Sequence, residues 1–148
     1  MREDIASILL SEEQIHTRVR ELGAEISRDY AGKEPLFVGV LKGCFIFMAD
    51  LFREVTIHSS VDFMAVSSYG NGTSTTGAVK INKDLSQDIE NRDVIIVEDI
   101  LDSGITLSYL TKYLQNRKPS SICIAPMVKE NFIMLFCCSA AGTSKYCG

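Results

Sequence analysis

Three carboxylates and a small-residue turn crowd into Glu98-Asp99-Ile100-Leu101-Asp102-Ser103-Gly104-Ile105-Thr106. Carboxylates taken out of water are costly without a compensating partner. A cation or a row of sugar hydroxyls would serve Glu98 and Asp99. After them, Ser103-Gly104-Ile105-Thr106 leads into Leu107, Leu110 and Leu114, which recur at helical spacing. A glycine turn that opens a helix presents unpaired N–H groups and the positive end of a dipole, which suits a phosphate. The pattern therefore describes a sugar-phosphate ligand. A plain helix cap at Asp102 or Ser103 explains one polar residue of the turn but not the adjacent acidic pair.

These residues need elements to position them. Val94-Ile95-Ile96-Val97 is an unbroken β-branched run, the signature of a strand covered on both faces of a parallel sheet. Ligands of open α/β sheets bind at the carboxyl ends of the strands, where Glu98 and Asp99 would stand. Leu36-Phe37-Val38-Gly39-Val40-Leu41 is a second such strand, and Lys42-Gly43 closes it. Lysine followed by a glycine that admits close backbone approach suits a pyrophosphate, although a lysine at an ordinary loop tip reads equally well by itself.

The remaining pattern alternates helix and strand. Ser11 and Gln14 have capping-box spacing ahead of Ile15, Val19, Leu22 and Ile26. That first helix is expected to end near Ala31-Gly32-Lys33. A mostly apolar helix is expected over 44–55, a strand over 61–69, a loop rich in Ser, Gly, Thr and Asn over 67–76, a short returning strand over 78–81 and a polar turn over 84–91. The motif helix should stop near residues 116–119, before a last strand over 121–127. Such alternation implies a parallel sheet with right-handed crossovers.

Composition narrows the function classes. The 148 residues fit one domain, 46% apolar and 23% charged. A net charge of −4 and a pI near 5.2 argue against a nucleic-acid partner. No apolar run reaches the roughly 18 residues of a membrane span. Met1-Arg2-Glu3-Asp4 is acidic and has no apolar signal core after it, so the expected location is cytoplasmic. Five cysteines, with no C-x-x-C pair, give neither a zinc site nor a disulfide framework. Cys44 and Cys123 read as small core residues, and His16 and His58 as surface residues without metal-ligand spacing. Gly70-Asn71-Gly72 fails as a dinucleotide fingerprint, because the next glycine, Gly77, comes too late and no helix follows.

Val94 to Thr106 resembles the phosphoribosyl-pyrophosphate (PRPP) motif of the type I phosphoribosyltransferases: apolar strand, two acidic residues, two apolar residues, then Asp-Ser/Thr-Gly-x-Thr. From about residue 8 to 125 the chain is similar to the bacterial hypoxanthine phosphoribosyltransferases. Leu41-Lys42-Gly43, Ser67-Ser68-Tyr69-Gly70 and the motif itself occur together at that family's spacing. The resemblance implies an α/β type I phosphoribosyltransferase fold, a central parallel sheet flanked by helices, with an incomplete hood. It implies an enzyme that transfers the phosphoribosyl group of PRPP to N9 of hypoxanthine or guanine, with Mg²⁺ as cofactor and Asp102 as general base toward purine N7. Glu98 and Asp99 would bind the ribose and the metal. Asp102, Ser103, Gly104, Ile105 and Thr106 would hold the 5′-phosphate. Lys42 and Gly43, in a loop that in the family contains a cis non-proline peptide, would hold pyrophosphate together with Ser68 and Tyr69 of a closing loop. Lys129 would stand at the purine. The family commonly forms homodimers or homotetramers.

Two other readings stay open. Another purine phosphoribosyltransferase, such as a xanthine enzyme, shares the motif, and so does a PRPP-sensing regulator, although the acidic charge and the intact Asp102 speak for a catalyst. The end of the chain departs from the family pattern: residues 130–148 read as atypical sequence in place of the purine-binding segment, within a single domain spanning 1–148.

Overall fold

The computed structural model describes residues 10–68, 79–99, 105–127 and 138–139. Helix α1 (Glu12–Asp29) opens with the expected reciprocal cap: the Gln14 N–H donates to Ser11 Oγ at 3.2 Å, and the Ser11 N–H donates to Gln14 Oε1 at 2.8 Å. After Tyr30 the chain turns through Gly32, at φ +76°, a conformation that glycine adopts without steric cost. Strand β1 (Leu36–Leu41) and helix α2 (Phe45–Glu54) follow. Next come β2 (Ser60–Ser68), β3 (Val79–Lys83), β4 (Asp93–Glu98), α3 (Ile105–Gln115), β5 (Ser121–Pro126) and the short β6 (Cys138–Ser139).

The strands form one sheet in the order β3-β2-β1-β4-β5-β6. The inner four are parallel, and β3 and β6 flank them antiparallel. The β1-to-β2 crossover and the β4-to-β5 crossover leave the centre in opposite directions. Right-handed connections therefore place α2 and α3 on opposite faces. The packing agrees: α1 and α2 bury Leu22, Ile26, Met48 and Leu51 against Phe37, Ile95 and Val97. On the other face, α3 buries Leu107, Leu110 and Leu114 against Leu36, Val38, Val94 and Ile96. Alternate residues of β1 and β4 thus point into two different cores, which is why neither strand alternates polar with apolar.

Two features were not expected. The segment over 84–91 is the predicted polar turn in outline, but Ile89 is fully buried in the core beneath α3. In β2, Asp62 is the one buried charged residue among those described, 8% exposed. Its carboxylate accepts from the N–H groups of Phe63 at 2.7 Å and Ser86 at 2.6 Å, and from Lys83 Nζ at 3.3 Å. Burial opposes its ionisation, but these hydrogen bonds and the lysine charge outweigh burial and hold its pKa below the usual carboxylate range. Asp62 so ties β2 to the end of β3. No helix of the described residues is long and apolar enough to cross a membrane.

Candidate active site

Strands β1 and β4 are neighbours, with Leu36 beside Val94 and Gly39 beside Val97, and the chain reverses its winding between them. Such a reversal leaves a crevice beyond the carboxyl ends of the two strands. Both sequence-predicted loops open there. Lys42 and Gly43 follow β1 and are exposed; Glu98 ends β4, and Asp99 follows it.

The two loops touch. A Cβ built on Gly43 would come within 3.0 Å of Asp99 Oδ1 and 3.2 Å of Oδ2, so any larger residue would have to displace the carboxylate by a few tenths of an ångström. The Leu41–Lys42 peptide is cis, as the family resemblance implies and as residue pattern alone does not.

Desolvation raises the Glu98 pKa to about 7, with the neighbouring Asp99 charge and a hydrogen bond between the two side chains adding to it. A carboxyl that keeps its proton near neutrality beside a second carboxylate is a site short of positive charge. Two oxygen-bearing side chains on adjacent residues fit a hard divalent cation such as Mg²⁺, or the hydroxyls of a sugar.

Cys44 starts the turn into α2 and is fully buried. Burial, then the charges of Glu98 and Asp99, push its thiol up to about 11. It remains a neutral thiol, consistent with its reading as a core residue, and Cys123 is likewise buried. His16 and His58 are on the surface as expected. Each does have a carboxylate nearby, Glu12 at 3.6 Å and Glu34 at 3.4 Å, which the spacing argument passed over. Among the described residues, no cluster of three or more metal-ligating side chains occurs.

Of the other predicted site residues, Ser68 ends β2, Ile105 begins α3, and Thr106 is exposed in its first turn. Tyr69, Asp102, Ser103, Gly104 and Lys129 lie outside the described residues. The sequence reading missed Met127, whose N–H donates to the Glu98 carbonyl at 3.3 Å and so holds the end of β5 against the acidic pair. It also missed the Asp62–Lys83 anchor at the base of the β2–β3 hairpin. Neither has a local motif, because each pairs groups distant in sequence.

Comparison with known proteins agrees with this geometry. The phosphoribosyl transferase domain family matches residues 6–131. A hypoxanthine-guanine phosphoribosyltransferase of Bacillus subtilis is 50% identical over 130 residues, which cover 88% of this chain and 72% of that protein. The crystal structure of a hypoxanthine phosphoribosyltransferase from Staphylococcus aureus superposes with a TM-score of 0.81 at 49% identity, covering 85% of this chain and 68% of the other. A hypoxanthine-guanine phosphoribosyltransferase of Bacillus anthracis gives 0.78 at 40% identity, covering 88% and 80%. The chain belongs to the phosphoribosyltransferase family, and within it to the hypoxanthine-guanine phosphoribosyltransferases, which are transferase enzymes.

Proposed function

We propose that the chain transfers the 5-phosphoribosyl group of PRPP to N9 of hypoxanthine or guanine, releasing pyrophosphate and giving the purine nucleotide, IMP or GMP, in purine salvage. The observation that carries this reading is the contact between Gly43 and Asp99: the loop suited to pyrophosphate and the acidic pair suited to ribose meet at one crevice.

Each residue then has a role set by its chemistry. Glu98 and Asp99 hold the ribose hydroxyls and ligate Mg²⁺. Bound there, Mg²⁺ would supply positive charge that favours departure of the leaving group. Residues Asp102 to Thr106 wrap the 5′-phosphate at the start of α3, where helix N–H groups point outward. Lys42 and Gly43, with Ser68 and Tyr69, hold the departing pyrophosphate. Asp102 accepts the proton from purine N7 as positive charge develops on the base. Lys129 stands at the purine. The largest contribution is electrostatic, since charge develops on an oxocarbenium-like sugar and on its leaving group inside a crevice of fixed dipoles.

The protein is a homodimer or homotetramer in this reading. Phe45 and Ile46 support it: they open α2 just after Cys44 and are 54% and 59% exposed, large apolar side chains left open on α2.

The test is nucleotide formation from PRPP and Mg²⁺ with hypoxanthine, guanine, xanthine or uracil, one base at a time. Turnover with hypoxanthine or guanine, and none with uracil, is expected. Turnover with xanthine alone would replace the proposed specificity. No turnover with any base, in protein that remains folded, would overturn the proposed activity of this chain.

A further inference from the structure

Asp84 follows β3 directly and meets the far half of α3. Its Oδ2 accepts from the Tyr113 hydroxyl at 2.6 Å and from Arg117 Nη2, and its Oδ1 accepts from the Leu85 N–H at 2.7 Å. Arg117 Nη2 also donates to Tyr113 Oη at 2.8 Å, and its guanidinium stands 5.0 Å from the centre of the Tyr113 ring. All three side chains belong to half-buried residues. Burial opposes the ionisation of Asp84, but the bonds from Tyr113, Leu85 and Arg117 outweigh it and hold its pKa below the usual carboxylate range. An isolated surface ion pair contributes little. Here each of the three side chains meets the other two, and such a closed network holds a geometry that a single pair does not.

The network joins two elements that reach the crevice at their other ends. Helix α3 rests on the sheet through Leu107, Leu110 and Leu114. Apolar contact is non-directional, so this stripe alone leaves the helix room to roll, whereas hydrogen bonds are angle-dependent. Thr106 and Tyr113 are seven positions apart, about two turns, and so share a helix face. A roll that carries Tyr113 off Asp84 swings Thr106 through the same angle. On the other side, β3 pairs with β2, Lys83 beside Ala65 and Val79 beside Ser68, and Asn82 Nδ2 donates to Ser67 Oγ at 3.0 Å. We propose that Asp84, Tyr113 and Arg117 are positioning residues for PRPP: their network sets the roll of α3 against the β2–β3 hairpin, and with it the separation of Thr106 from Ser68. The proposal rests on the reading that assigns Thr106 to the 5′-phosphate and Ser68 to the pyrophosphate. PRPP alone among the reactants carries both groups, so the network acts on its binding and not on that of the purine.

The test is calorimetric titration of PRPP into the full chain with Mg²⁺, beside turnover with hypoxanthine at saturating substrate. Asp84→Ala should weaken PRPP binding about tenfold, while kcat and the KM for hypoxanthine stay within about twofold of wild type. Tyr113→Phe removes one hydroxyl and keeps the ring; it should weaken PRPP binding about threefold, and it decides the matter if Asp84→Ala unfolds. Gly23→Ala, whose Cβ would lie 2.6 Å from Glu54 Cβ between α1 and α2, disturbs packing on the opposite face and should bind PRPP as the wild type does. Wild-type affinity in Asp84→Ala and Tyr113→Phe would overturn the proposal, as would an equal loss in Gly23→Ala or a fall in kcat at unchanged affinity. A wild-type chain that binds no PRPP would instead refute the functional reading, and the proposal with it.

Discussion

Replacing Glu98 by glutamine should make the free protein more stable at alkaline pH and flatten its pH dependence. Glu98 keeps its proton in the folded state up to about pH 7, against an ordinary value of 4.5. For a carboxyl raised on folding, the stabilising contribution is full below the unfolded value and is lost as pH climbs through the folded one. The interval from 4.5 to about 7, at about 1.4 kcal/mol per pH unit, sets an upper bound of about 3 kcal/mol. The side chain is only partly buried, so solvent screening lowers the expectation to roughly 1–3 kcal/mol. Glutamine keeps the shape and can donate an N–H to Asp99, in place of the Glu98 proton in the hydrogen bond between the two side chains. The assay is urea unfolding followed by circular dichroism at pH 5 and pH 8, for both proteins. Wild type should lose roughly 1–3 kcal/mol more than Glu98→Gln between the two values, with equal m-values. Equal losses in the two proteins, or a larger loss in the variant, would refute the argument that desolvation and Asp99 hold Glu98 protonated.

Three further outcomes follow from single contacts. Gly43→Ala places a Cβ 3.0 Å from Asp99 Oδ1 and must displace that carboxylate by a few tenths of an ångström; kcat/KM for PRPP should fall about tenfold with an unchanged melting temperature, and wild-type kinetics would sever the loop from the site. Gly23→Ala would gain helix propensity of about 1 kcal/mol on an open surface, but its Cβ would lie 2.6 Å from Glu54 Cβ, so urea unfolding should show a net loss of about 1–3 kcal/mol. Asp62→Ala strips the acceptor from the Phe63 and Ser86 N–H groups and from Lys83. It should cost about 2 kcal/mol or more in the same assay, and Asp62→Asn, which keeps one acceptor oxygen, should cost less.

How far the fold could be read from residues alone depended on the range of the interaction involved. The Ser11–Gln14 cap, the β1 and β4 runs and the Leu107-Leu110-Leu114 stripe are local patterns, and each formed where its spacing put it. Element ends shifted by a residue or two where a distant partner intervened. The strand expected over 78–81 continues to Lys83, whose ammonium donates to Asp62 and to the Phe63 carbonyl. Ile89, in a segment that reads as polar, is buried because α3 lies over it, and no window of sequence around residue 89 contains α3. The acidic pair and the Lys42-Gly43 turn were each legible as ligand chemistry. Their contact was not, since it requires β1 and β4 to be adjacent.

That adjacency explains why so much of the site's chemistry falls on residues that contribute little to the core. Where winding reverses, α2 and α3 depart to opposite faces, and neither covers the ends of the two central strands. Residues up to Val40 and Val97 are committed to packing; Lys42, Gly43, Glu98 and Asp99, beyond them, belong to neither core. They carry polar chemistry that a packed interior would reject. The raised Glu98 pKa is the cost of that arrangement in the unliganded protein, and a cation between the carboxylates would reverse it, because the charged forms would then be the stabilised ones. The same change that stabilises the free protein, Glu98→Gln, should therefore weaken the response to Mg²⁺: millimolar Mg²⁺ should raise the melting temperature of the wild type by more than that of the variant. An equal rise in both would place the cation elsewhere and leave the acidic pair to the sugar alone.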